Sequence, residues 1–124
     1  APAEAQVPYE DLILKAAEAR SVPPRIALKL VEVESSYRRA AVSPVGAIGL
    51  AQVMPATGLA VCGMPPHRLY RPWPNLYCGM HYLRLMYERH GTWDEALRAY
   101  NVGPTRLALA PHLGAGYARA VLQD

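Results

Sequence analysis

Apolar positions recur at helical spacing along most of the chain, and no alternating strand pattern of useful length interrupts them. From Tyr9 to Arg20, Leu12, Ile13, Ala16 and Ala17 share a face while Glu10, Lys15 and Glu18 lie off it, which predicts a first helix. Ser21-Val22-Pro23-Pro24 breaks it and starts a second, because proline is tolerated in a first helical turn. That second helix is expected from Pro24 to Tyr37. Ser43 to Gly49 reads as a turn-rich connection, and a short helix is expected from Pro55 to Val61. Cys62 to Pro74 contains Pro65, Pro66, Pro72 and Pro74 and is expected to be irregular. The helical pattern returns from Asn75 to Arg89, with Leu76, Met80, Leu83 and Tyr87 on one stripe and Gly91 as its stop. Thr92-Trp93-Asp94-Glu95 is a capping-box signature that opens a helix closed by Gly103-Pro104. A last short helix is expected from Tyr117 to Leu122. The pattern as a whole predicts an all-α domain.

The second helix separates two glutamates. At ~100° per residue, Ile26, Leu30, Val33 and Tyr37 form a stripe flanked by Ala27 and Val31. Glu34 falls between Leu30 and Ala27 on the apolar side, whereas Glu32 falls opposite, near Lys29 and Ser36. No further Asp or Glu occurs until Glu88, and a Ser/Gly/Gln-containing turn follows at once. Burial disfavours a charged carboxylate, so Glu34 is expected to have a raised pKa and to suit the role of a general acid. The plainer alternative is a helix-terminal glutamate that turns to solvent or pairs with Arg38.

Composition narrows the class. The chain has 124 residues, 52% hydrophobic and 19% charged, which fits one globular domain with its own core. No apolar run approaches the ~20 residues that cross a bilayer. The net charge of +3 is carried by scattered residues, without the stripe that nucleic-acid binding usually needs. A modest positive field suits an anionic polymer such as peptidoglycan equally well. The opening APAEAQ is small and polar, like a mature terminus left by signal removal, so residues 1–8 are expected to be a flexible segment and residues 9–124 one catalytic domain.

Glycosidases generally use two carboxyl groups, ~5–5.5 Å apart when retaining and ~6.5–9.5 Å apart when inverting. Near Glu34 the sequence supplies only Glu32, on the wrong face; Asp94 and Glu95 already have a role at a helix N-terminus. Action on a glycoside would therefore favour a one-carboxyl mechanism.

Four stretches in order, ESSY at 34–37, AVSPVGAIGLAQVMPAT at 41–57, NLYCGMHYL at 75–83 and ALRAYNVGP at 96–104, resemble the family-1 lytic transglycosylases of the lysozyme-like superfamily. The resemblance runs from about Leu14 to Val121. It implies a compact, goose-lysozyme-like helical fold with a glycan-binding cleft, cleaving the MurNAc–GlcNAc β-1,4 bond without water, metal or cofactor. In that reading Glu34 is the catalytic acid and base. Ser35 holds the local geometry, and Tyr100 matches the tyrosine whose hydroxyl approaches the acid. Ser43, Gln52, Met54 and Asn101 match substrate-contacting positions. Gly46 and Gly49 serve backbone shape. Two departures stand out: Ala51 where the family usually has Met, which removes an expected apolar sugar contact, and Arg71-Pro72 where it often has Asp-Pro.

Cys62 and Cys78 are the only cysteines. In an exported protein they would form a disulfide closing a loop of about 15 residues, worth ~3 kcal/mol in the chain-entropy model. Free thiols are the second reading, and a zinc site from Cys62, His67, Cys78 and His81 the third. The expected setting is periplasmic or otherwise exported, phage association included. The expected partners are peptidoglycan glycan strands and a cell-envelope secretion or assembly machinery, not nucleic acid. A hydrolysing lysozyme and a non-catalytic peptidoglycan-binding module remain the alternatives.

Overall fold

In the computed structural model, which describes residues 7–123, the helical segments become seven α-helices and one 3-10 helix. The expected N-terminal segment 1–8 lies largely outside the described residues. Helix α1 spans Glu10–Ala19, α2 Pro24–Ser35, α3 Pro55–Cys62, α4 Pro72–His90, α5 Trp93–Val102, α6 Pro104–Leu109 and α7 Ala115–Leu122. The 3-10 helix, Pro66–Tyr70, occupies part of the stretch expected to be irregular.

Helix α4 is the spine. It packs against α1, α3 and α5, and α7 closes the bundle against α2 and α5. The buried side chains join in one cluster: Ile13 of α1, Leu30 of α2, Leu76, Met80 and Leu83 of α4, and Leu97 of α5 are all fully enclosed. The α4 boundary differs from the sequence reading by three residues. Pro72 and Pro74 lie inside its first turn, where the missing N–H groups would have had no helical partner anyway. The Arg71 side chain makes no cap bond there, and the first turn carries no acid. Helix α6 was not expected: Gly103-Pro104 reads as a stop, yet Gly103 turns the chain at φ 89° and Pro104 opens another helix. Thr92 caps α5 as expected, with the Glu95 N–H donating to Thr92 Oγ1 at 3.1 Å.

Helix α2 also ends earlier than expected. Ser36 and Tyr37 both take positive φ, so Tyr37 leaves the helical phase and its hydroxyl donates to the Leu28 carbonyl. The buried face is Ile26, Ala27, Leu30, Val31 and Ser35, and Val33 is 38% exposed, against the expected stripe. At ~100° per residue, this corrected arc places Glu34 near its middle.

The disulfide reading holds. Cys62 at the end of α3 and Cys78 in α4 are bonded, with Cα atoms 5.8 Å apart. Both thiol ligands of the zinc alternative are consumed by that bond.

Candidate active site

The last turn of α2 and the loop after it build the site. Between α2 and α3 the chain folds on itself through short antiparallel bridges, Val42 with Ile48 and Ile48 with Val53. Ser43 fastens the first bend: its hydroxyl accepts the Ala47 N–H at 3.0 Å. Gln52 fastens the second, its side-chain nitrogen donating to the Ala41 and Gly49 carbonyls at 3.1 and 3.0 Å.

One buried side chain ties this loop to α4. Asn75 accepts the Ala51 N–H at 2.7 Å and donates to the Ile48 and Leu69 carbonyls at 2.7 and 2.8 Å. A side chain at Gly49 would fall onto the Asn75 amide and within 2.7 Å of the Leu69 carbonyl, and its φ of 78° also favours glycine. Asn75 was within a recognised motif, but its role depends on partners up to 27 residues away, which local pattern does not reveal.

Glu34, Ser43, Gln52, Met54, Tyr100 and Asn101 line one pocket of about 240 Å³. The structure thus brings together the sequence-derived acid and five of its six expected companions. Ser35 lies beneath rather than in it: only 2% exposed, its hydroxyl donates to the Val31 carbonyl one turn back and braces the end of α2. A second lobe of about 360 Å³ continues the cleft past Gln52, Met54, Tyr100 and Asn101 towards Tyr82 and Arg106. Met54 is 39% exposed, an apolar surface presented to the cleft.

Burial pushes the Glu34 carboxyl from 4.5 up to about 7, while a hydrogen bond from Tyr117 pulls the other way. The alternative pairing with Arg38 is not what holds Glu34; the Arg38 guanidinium donates to the Ser35 carbonyl instead. Tyr117, on α7, donates its hydroxyl to Glu34 Oε2 at 2.9 Å. Sequence reading had connected Tyr100 with the acid. The Tyr100 hydroxyl instead donates to the Ala51 carbonyl at 2.6 Å, while its ring lines the pocket beside Glu34. Both phenols are pushed well above their ordinary range, chiefly by burial and then by the Glu34 charge, so both remain neutral donors. Only the position of Tyr117 at the start of the last apolar stretch hinted at it, 83 residues from its partner.

Ala51 sits where the cleft loop meets α4. It is fully buried against Gly79 of α4, where an added Cβ would collide with the Ala51 methyl and crowd the Tyr100 hydroxyl. Ala51 therefore packs between loop and spine and does not itself line either lobe of the cleft.

Residues 11–112 match the family model for the transglycosylase SLT domain. This chain belongs to that family. The SLT domain is 32% identical over 109 residues to the soluble lytic murein transglycosylase of Escherichia coli K12, covering 80% of this chain but only 17% of that protein's length. It is 39% identical over 83 residues to the transglycosylase of Enterobacteria phage PRD1, covering 67% of this chain and 30% of that one. Its all-helical fold superimposes on the 70-kDa soluble lytic transglycosylase of Escherichia coli with a TM-score of 0.74 and 29% identity, over 84% of this chain and 18% of that one.

Proposed function

We propose that this SLT domain is a lytic transglycosylase that cleaves the MurNAc–GlcNAc β-1,4 bond of peptidoglycan and leaves a 1,6-anhydromuramoyl end. The observation that carries the proposal is the single carboxyl group of the cleft. Among the residues lining its two lobes, Glu34 is the only acid. Glu32 is exposed and paired with Lys29 at 2.9 Å, so it does not serve as the second member of a carboxylate pair.

With its carboxyl near 7, Glu34 exists in both protonation states around neutrality. The acid form protonates the departing glycosidic oxygen. The resulting carboxylate then takes the proton of the muramoyl C6 hydroxyl as that oxygen attacks C1 of its own ring. An intramolecular nucleophile is already positioned by the sugar, so neither a water nor a second carboxylate is required. Tyr117 positions the carboxyl and favours its ionised form during the second half of the reaction. Ser35 supports the end of α2, while Ser43 and Gln52 hold the cleft loop. Met54, Tyr100 and Asn101 contact the glycan.

The setting is an exported one, the periplasm or a phage particle. The Cys62–Cys78 bond supports an oxidising compartment, and no described helix is long and apolar enough to cross a membrane. The test compares wild type with Glu34→Gln on purified peptidoglycan sacculi. Clearing of turbidity by the wild type and a loss of at least about 1,000-fold in the variant is the expected result. Equal clearing by both proteins would overturn the assignment of Glu34, and clearing by neither would favour a binding module.

A further inference from the structure

The cleft is chemically lopsided, and its far end has no part in the reaction just described. One lobe carries Glu34; the other ends at Arg106, the only cationic side chain that lines either lobe. Around Arg106 the far lobe offers Thr57, Tyr82 and Asn101 as polar neighbours and Val53 and Val102 as apolar wall. At about 360 Å³ this lobe falls within the ~300–1,000 Å³ range of small-ligand sites, and it is larger than the lobe at the acid.

Arg106 is held there by the chain, not by a partner. Helix α6 begins at Pro104 directly after the Gly103 turn, and Leu107 anchors it in the core. The same turn ends α5, which carries Tyr100 and Asn101, so the position of Arg106 is geared to that of two cleft residues. Among the described residues the Arg106 side chain makes no hydrogen bond or ion pair, and it is exposed to solvent. A guanidinium lining a lobe that holds no acid of its own is poised for an external one. Its planar fork matches a carboxylate in two parallel hydrogen bonds.

Resting on the transglycosylase reading, we infer that Arg106 is a specificity residue that binds a carboxylate carried by a muramoyl substituent of the glycan. GlcNAc has no ionised group to offer. A muramoyl residue has one at the end of its lactyl arm when unsubstituted, or along the peptide attached to that arm. Arg106 therefore sets the sugar register: it rewards placement of a muramoyl residue in the far lobe while Glu34 meets the scissile bond. Because Arg106 is exposed, the contact stays partly hydrated and weakens with salt.

Binding is measured in a Glu34→Gln background, which holds glycan without turnover, with and without Arg106→Ala or Arg106→Lys. Three ligands are compared: a GlcNAc oligomer, GlcNAc–MurNAc strands stripped of peptide, and peptide-bearing strands. Arg106→Ala should weaken binding of the carboxylate-bearing strands by about tenfold at low ionic strength and leave the GlcNAc oligomer within about twofold. Arg106→Lys should restore part of the loss. An effect on peptide-stripped strands alone assigns the free lactyl carboxylate, and an effect on peptide-bearing strands alone assigns a carboxylate of the peptide. An effect on both shows that Arg106 takes whichever carboxylate the muramoyl arm presents. An equal loss on all three ligands, or no loss on any, would overturn the inference. Failure of the Glu34→Gln protein with Arg106 intact to bind any muramoyl strand would instead sink the transglycosylase reading itself. Thermal melting of each variant confirms folding, since Arg106 is exposed and its truncation removes no core packing.

Discussion

Replacing Glu34 by Gln separates the cost of the acid to the fold from its use in catalysis. The carboxyl lies at about 7 in the folded protein against 4.5 as its ordinary value, so its folded pKa is raised. Below pH 4.5 both folded and unfolded chains hold the proton, and the group neither adds nor removes stability. Between 4.5 and about 7 the unfolded chain gives up its proton while the folded one keeps it, so stability falls as pH rises. Above about 7 both are ionised and the fold carries the full cost of a desolvated carboxylate. The gap from 4.5 to about 7, at about 1.4 kcal/mol per pH unit, amounts to roughly 3 kcal/mol. Gln fills nearly the same volume, and its side-chain oxygen still accepts the Tyr117 hydroxyl. Glu34→Gln should therefore be close to neutral at pH 4 and stabilising by up to about 3 kcal/mol at pH 8. For a domain of this size that is roughly 8–12 °C in melting temperature at pH 8. Urea or thermal unfolding of both proteins across pH 4–8 measures the difference directly. A difference that does not grow with pH would refute the raised carboxyl and, with it, the physical basis of the acid.

Three further changes probe the supports of the site. Tyr117→Phe removes the hydrogen bond that lowers the Glu34 carboxyl, so the alkaline limb of the activity profile should move up by as much as about one pH unit, read from initial rates on sacculi. A profile that stays in place would show that the bond does not act on the acid. Asn75→Ala leaves the Ala51 N–H and the Ile48 and Leu69 carbonyls without their partner, and should cost about 3 kcal/mol or more in urea unfolding. A loss below about 1 kcal/mol would deny that this side chain ties the cleft loop to α4. Reduction of Cys62–Cys78 frees a loop with a sequence separation of 16 and should lower stability by about 3 kcal/mol. An unchanged urea midpoint in reductant would contradict it.

The acid was legible in the sequence because helical phase and the long acid-free stretch both act locally. The Thr92 cap of α5 was legible for the same reason, since its two bonded groups are three residues apart. What escaped depends on distance through space. Tyr117 reaches Glu34 from α7, and Asn75 braces the loop from the first turn of α4; neither chain neighbourhood advertises its partner. Prolines account for the misplaced start of α4 and the missing α6. Pro72, Pro74 and Pro104 were read as breaks, although each stands in a first turn, where proline fits. The cysteine pairing stayed open between three chemistries until the fold brought α3 beside α4. The phase of α2 slipped because Ser36 and Tyr37 take left-handed conformations that hydrophobic periodicity does not signal.

In the proposed reaction one carboxyl group and the substrate's own hydroxyl do the work that two carboxyl groups and a water do elsewhere. Digestion of peptidoglycan in ¹⁸O-enriched water, followed by mass spectrometry of the muropeptides, tests it most directly. The expected products are 1,6-anhydromuramoyl ends with no ¹⁸O incorporated at cleavage. Reducing ends carrying one ¹⁸O would contradict it and make this domain a hydrolase.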